Sequence, residues 1–181
     1  IVLSPVFALS LPGFLLIRVL SPIRGRFARH CHAVRFPMPV IRRQALVRHP
    51  ADYMFDLVND VAAYPRRFGW CERAEVISQD EVHMLARLDL GIGAMHTWFA
   101  TENRLKRPDM IEMTLRDGPF KRLVGRWEFK PLDEGRASKV SLSMEFEPSS
   151  RLLGPVLAVG LQGLADRMVG DFVRAADQGA A

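Results

Sequence analysis

Cysteine is almost absent from this chain. Cys31 and Cys71 are the two that occur, which leaves no disulfide framework and no zinc-ligand spacing. A bridge between them is not expected, so the cysteine usage points to a reducing, cytoplasmic setting. The triplet His30-Cys31-His32 sets neighbouring ligands side by side, whereas structural zinc takes four ligands at loop-and-helix spacing, and no metal site is expected. Glycine-rich phosphate loops and metal-binding motifs are missing as well. A membrane-spanning helix needs about 20 mostly apolar residues. The most apolar stretch, within residues 1–37, is broken by Pro12-Gly13 and Arg18. Acidic residues are missing altogether from that segment, while Arg18, Arg24, Arg26, Arg29 and Arg35 all fall in it.

That asymmetry decides how the net charge is read. The whole chain carries 25 Lys and Arg against 20 Asp and Glu, but residues 38–181 alone hold 20 of each. The folded part is neutral overall, which excludes a general nucleic-acid footprint and leaves room only for a local patch. In residues 1–37 the positive charge follows the apolar stretch, the reverse of a secretory signal. An arginine-rich, acid-free segment also fits an organelle transit peptide, and a membrane-anchored tail is a further alternative. The preferred expectation is that translation starts at Met38, because the strand pattern begins directly after Met38-Pro39. Two parts are therefore expected: an extension over 1–37, disordered or arising from a mis-assigned start, and one domain over 38–181. With 49% hydrophobic residues, a domain of that size can bury a real core.

From Met38 the pattern is regular. Residues 40–48, VIRRQALVR, read as a strand ending at His49-Pro50. A helix follows, with Pro50 in its first turn, Asp52 suited to the N-terminal dipole, and Met54, Phe55, Leu57, Val58 and Val61 on one face. Pro65 is expected to force Tyr64 out of the helical region and mark a break. From Cys71 to Pro148 the apolar period falls to two, giving six short antiparallel strands with one apolar and one solvated face. Asp117-Gly118-Pro119 is turn chemistry. Beyond it Leu123, Gly125, Trp127 and Phe129 point one way, and Arg122, Arg126, Glu128 and Lys130 the other. Gly125 on the apolar side suggests a bend or a close approach. Residues 150–177 read as a long helix, with Leu153, Leu157, Leu161, Leu164, Met168 and Phe172 on its apolar face. Its glycines, Gly154, Gly160, Gly163 and Gly170, would leave room beneath it. The resulting fold class is α+β, a strongly curved antiparallel sheet of about seven strands wrapped on a long C-terminal helix.

Three stretches carry a resemblance. ALVRHPADYMFDLV (45–58), LVNDVAAYPRRFGWC (57–71) and DGPFKRLVGRWEFKPL (117–132) resemble the family joining coenzyme Q-binding START-domain proteins and RatA-type ribosome-association toxins. The likeness spans nearly all of residues 38–181. It implies a helix-grip fold (START/Bet v 1-like, polyketide cyclase-like) with a hydrophobic tunnel between sheet and C-terminal helix. It also agrees with a start at Met38, because bacterial members typically begin with a short Met-Pro. One departure is visible: Gly69 precedes Trp70-Cys71 where the family usually has proline.

Catalytic groups are few. Cys71, His83 and His96 are the candidates for nucleophile and base in residues 38–181, and nothing local orients a Cys-His pair. Cyclases and aromatases share the fold, but function belongs to sites, and no enzyme is expected. A bound apolar ligand fits better. Met84, Met95, Phe99, Met113, Trp127, Met144, Leu164 and Met168 would line its cavity, methionine being adaptable filler. The plain alternative is that these residues make an ordinary core. The resemblance implies a polyprenyl quinone, ubiquinone or a relative, held without catalysis in support of respiratory electron transfer. Tyr64 and Trp70 are the expected polar donors at the mouth. Such a protein would be cytoplasmic, with peripheral contact at the inner membrane. The alternative function, from the other branch of the resemblance, is a type II toxin of unknown antitoxin that binds the large ribosomal subunit and blocks subunit association. That requires cations against phosphate, for which Lys121, Arg122, Arg126 and Lys130 are the candidates. The competing reading is a solvated sheet face balanced by Glu128, Glu145 and Glu147.

Overall fold

The alternation of apolar and polar residues after Cys71 is realised in one seven-stranded antiparallel sheet, with β1 added at an edge. The computed structural model describes residues 40–150 and 154–179. The elements run β1 (Val40–Val47), α1 (Ala51–Asn59), a 3-10 turn (Val61–Ala63), α2 (Tyr64–Arg67), β2 (Cys71–Gln79), β3 (His83–Ile92), β4 (Met95–Lys106) and β5 (Met110–Asp117). Then come β6 (Phe120–Leu132), a second 3-10 turn (Asp133–Gly135), β7 (Ala137–Pro148) and α3 (Gly154–Gly179). The strand order is β1-β7-β6-β5-β4-β3-β2. The first strand therefore lies beside the last, and β2 to β7 form a meander of hairpins. The expected extension over residues 1–37, the start at Met38, the His30-Cys31-His32 triplet and the position of Leu153 lie outside the described residues.

Period-two burial fixes which face of the sheet meets the helix. In β6, Leu123, Gly125, Trp127 and Phe129 are buried while Arg122, Arg126, Glu128 and Lys130 are exposed. In β7, Val140, Leu142, Met144 and Phe146 turn inward. Register shifts at Cys71/Arg73, Val76/Ser78, Ala100/Thr101 and Phe120/Arg122 interrupt the ladders, and such bulges bend strands and increase their twist. The apolar stripe of α3 packs on the inner face through Leu157, Leu161, Leu164, Met168 and Phe172. Polar contacts pin its outer turns. Arg43 bonds Asp166, the Tyr53 hydroxyl donates to the Ala176 carbonyl at 3.3 Å, and His49 Nε2 lies 2.8 Å from Asp177.

Two local expectations need correction. Tyr64 is not forced out of the helical region by Pro65: its φ of −55° and ψ of −45° are helical. Proline stands here in the first turn of α2, where its missing N–H would have had no partner anyway. The break falls earlier, at Asp60, whose ψ is 63°. The glycines, moreover, do not all leave empty room. A Cβ at Gly125 would run into the methyl end of Met113, and one at Gly160 into that of Met95. These two notches are filled by methionine tips. Only Gly163 of the expected set has open space around it.

Candidate functional site

Between the sheet and α3 lies an apolar cavity of about 50 Å³. Phe99, Met113, Trp127 and Met144 reach it from β4, β5, β6 and β7, Leu164 and Met168 from α3, and Tyr64 and Trp70 from α2 and the residue before β2. Met84 and Met95 do not line it. Met84 is sealed at 1% exposure, and Met95 covers the notch at Gly160. The cavity is small on the scale of cavities known to take guests: an engineered apolar cavity of about 150 Å³ holds benzene. Three methionines in its wall, Met113, Met144 and Met168, are the side chains best able to yield. Asn59 and Val61 border both this cavity and an open hollow of about 290 Å³ on the outside, so that pair forms a wall between the interior and solvent.

The aromatic residues at one end form a continuous cluster. Tyr64, Phe68, Trp70 and Phe172 meet with ring centroids 4.6–5.8 Å apart, and Trp127 joins edge-on to Phe172 at 5.4 Å. Such pairs are each worth about 0.5–1.5 kcal/mol beyond area burial. The two expected mouth donors sit inside this cluster, not at an opening: each is 4% exposed. The Tyr64 hydroxyl donates to the Val58 carbonyl at 2.5 Å, and Trp70 Nε1–H donates to Asp171 Oδ2 at 2.9 Å. Both donors are thus engaged within the protein. Burial raises the Tyr64 phenol far above its ordinary range, so it stays protonated.

Besides Asn59 in the wall, polar side chains line the apolar interior from β4. Thr101 and Asn103 are 4% and 6% exposed and both line the cavity. Asn103 Nδ2 reaches only the Met84 sulfur, at 3.9 Å, and Oδ1 is the one buried side-chain oxygen or nitrogen among the described residues that has no partner. The sequence carried the signal, since both residues share the inward parity of Phe99. Which of them lacks a partner depends on the fold.

Of the catalytic candidates, Cys71 is buried and donates to the Arg73 carbonyl at 3.4 Å. Burial first, and the Asp89 carboxylate second, push its thiol up to about 11. His83 faces Asp80 at 3.6 Å and His96 faces Glu72 at 2.8 Å, both on the solvated side. Among the described residues no three side chains converge as metal ligands, and no helix is long and apolar enough to cross a membrane.

On the outer sheet face the expected cations divide. Lys121 pairs with Glu147 at 3.1 Å, and Arg126 with Glu112 at 2.7 Å and Glu128 at 3.6 Å. Arg122 and Lys130 have no carboxylate partner among the described residues. Register adds cations that sequence spacing alone did not bring together. Lys139 stands directly opposite Lys130, and Arg42 lies across Ser143 from Arg126.

A seven-stranded sheet closed on one long helix, with a cavity between them, defines a helix-grip domain. The chain belongs to the family described as polyketide cyclase/dehydrase and lipid transport, which matches residues 47–173. It is 43% identical over 141 residues to the ribosome association toxin RatA of Vibrio cholerae, covering 78% of this chain and 97% of that one. A more distant relative is the mitochondrial coenzyme Q-binding protein COQ10 of Drosophila melanogaster, 24% identical over 135 residues, or 73% of this chain and 56% of that one. Among solved structures, the Zhui aromatase/cyclase from Streptomyces sp. R1128 superposes with a TM-score of 0.72 at 16% identity, covering 80% of this chain and 96% of that one. This last likeness bears on the fold alone.

Proposed function

We propose that this protein is a RatA-type ribosome-association factor that binds the large ribosomal subunit and hinders subunit joining, without catalysing a reaction. The observation that carries this reading is the 43% identity to a ribosome association toxin across 97% of that toxin's length. The outer sheet face supports it, because rRNA is a polyanion and needs cations that are not already neutralised. Arg122, Lys130 and Lys139, which have no carboxylate partner among the described residues, answer that need, whereas Lys121 and Arg126 are balanced by carboxylates. The balance of paired charges keeps the surface from being a general nucleic-acid binder and leaves free cations at two places, Arg122 near the start of β6 and Lys130 with Lys139 near its end. Overexpression followed by sucrose-gradient analysis tests the reading: the joined-ribosome peak should fall and free subunits rise. An unchanged profile contradicts it.

A second reading concerns the interior. The apolar cavity with its methionine wall, together with the relationship to a coenzyme Q-binding protein, supports a bound hydrophobic guest such as a polyprenyl quinone. At about 50 Å³ the cavity must widen to admit one. A carrier of this kind would collect its ligand at a bilayer surface from the cytoplasmic side. Solvent extraction of the purified protein and mass spectrometry should then release a quinone or other lipid; repeated absence of any such molecule rejects this reading.

A further inference from the structure

We propose that Asn103 is the polar anchor of the interior cavity, and that the cavity selects a small or narrow apolar molecule carrying one hydroxyl, whose O–H donates to Asn103 Oδ1. The inference rests on the second reading above, that the cavity takes an apolar guest, and adds the chemistry of that guest's polar end.

Three observations carry it. The first is the orphan itself. Asn103 is 6% exposed, lines the cavity, and its Oδ1 has no partner. A buried acceptor left without a donor costs stability, and such groups in native proteins ask for an explanation. The second is orientation. Amide oxygen and nitrogen are assigned from their surroundings. Here the Met84 sulfur, a weak acceptor, lies 3.9 Å from Nδ2. Turning the amide over would give up that contact and leave the nitrogen without an acceptor too. The oxygen is therefore the atom left without a partner on this cavity-lining residue, and an acceptor selects a donor. The third is the engagement of the other polar groups at the aromatic end. The Tyr64 hydroxyl and Trp70 indole N–H each already have an acceptor, so neither is waiting for a ligand.

A single hydroxyl satisfies this arrangement, with the apolar remainder packed among Phe99, Trp127 and the yielding tips of Met113, Met144 and Met168. A carbonyl or ether end, having only acceptors, makes no bond to the Asn103 oxygen and could be met only by a donor such as the Thr101 hydroxyl in the same wall.

The probes are 1-hexanol and its isomer methyl pentyl ether, which match in formula and differ in the donor. Trp70 and Trp127 both line the cavity, so tryptophan fluorescence excited at its red edge reports occupancy. The full chain should bind 1-hexanol more tightly than the ether by about 3- to 10-fold, the range set by one net hydrogen bond. Asn103→Leu keeps the volume and removes the acceptor; it should bind both isomers, with the preference gone. Equal affinities in the unaltered protein, or a preference that survives in Asn103→Leu, overturn the role of Asn103 while leaving an apolar guest in place. Saturable binding of neither isomer by the folded, unaltered protein overturns the cavity reading and this proposal with it.

Discussion

Trp70 Nε1–H donates to Asp171 Oδ2 at 2.9 Å, joining the entry to β2 to the middle of α3 across a sequence separation of 101 residues. The Trp70 ring stacks on Phe68 at 5.1 Å, and Phe68 in turn meets Phe172 at 4.6 Å. One indole therefore fixes both the aromatic wall of the cavity and the seat of the helix that closes it. Asp171 also takes a bond from Arg174, and its side chain is 16% exposed. Trp70→Phe keeps an aromatic ring and removes the donor to this carboxylate. Urea denaturation should show a loss of about 1.5–3 kcal/mol, the range for a hydrogen bond to a charged group.

The helix glycines differ in what surrounds them, and that difference can be measured. Gly163 has nothing within 4 Å of the position a Cβ would take, while the corresponding position at Gly160 is filled by the tip of Met95. Gly163→Ala should raise stability by about 0.5–1 kcal/mol through helix propensity alone. Gly160→Ala must displace Met95 and should gain less or lose. Thermal melts of the two variants give the order directly.

Cys71 sets a pH dependence. Burial raises its thiol from 9.0 to about 11, so the folded state holds the proton more tightly than the unfolded one. Its contribution to stability is complete below the unfolded value and is lost as pH climbs through the folded one. In a Cys31→Ala background, iodoacetamide should alkylate the folded protein at pH 8 more slowly than the urea-unfolded chain, because the thiolate is the nucleophile. The folded-state rate should rise toward pH 11.

The Lys130–Lys139 pair separates a binding role from a structural one. Like charges directly opposite on one sheet face are destabilising. Replacing both with glutamine should leave stability unchanged or slightly higher. If the pair contacts rRNA phosphates, the same double variant should weaken large-subunit binding and lower the slope of log affinity against log salt by about 2. Unchanged binding would move the interface off this end of the sheet.

Much of the architecture was legible because period-two alternation survives folding almost untouched. The inward sides of β6 and β7 follow from parity, as does the apolar stripe of α3. The position of the helix break was not legible. The local preference of a residue before proline is weak, and Tyr64 is held helical by packing against Phe68, Trp70 and Phe172. Parity likewise sent Met84 and Met95 inward correctly, but inward is not the same as cavity-lining. What each methionine touches depends on its height along the strand and on whether a glycine lies opposite. Asn103 was visible as a polar residue on an apolar face, yet its missing partner depends on the side chains that the fold brings around it. The Lys130–Lys139 opposition needed the β6–β7 register, which no local pattern supplies.

The most direct test of the ribosomal reading is equilibrium co-sedimentation of the purified chain with isolated large and small ribosomal subunits, followed by addition of the missing subunit. The account expects the protein to travel with the large subunit alone, to detach as salt is raised, and to lower the yield of joined ribosomes. A protein that sediments with neither subunit and leaves joining unchanged contradicts it.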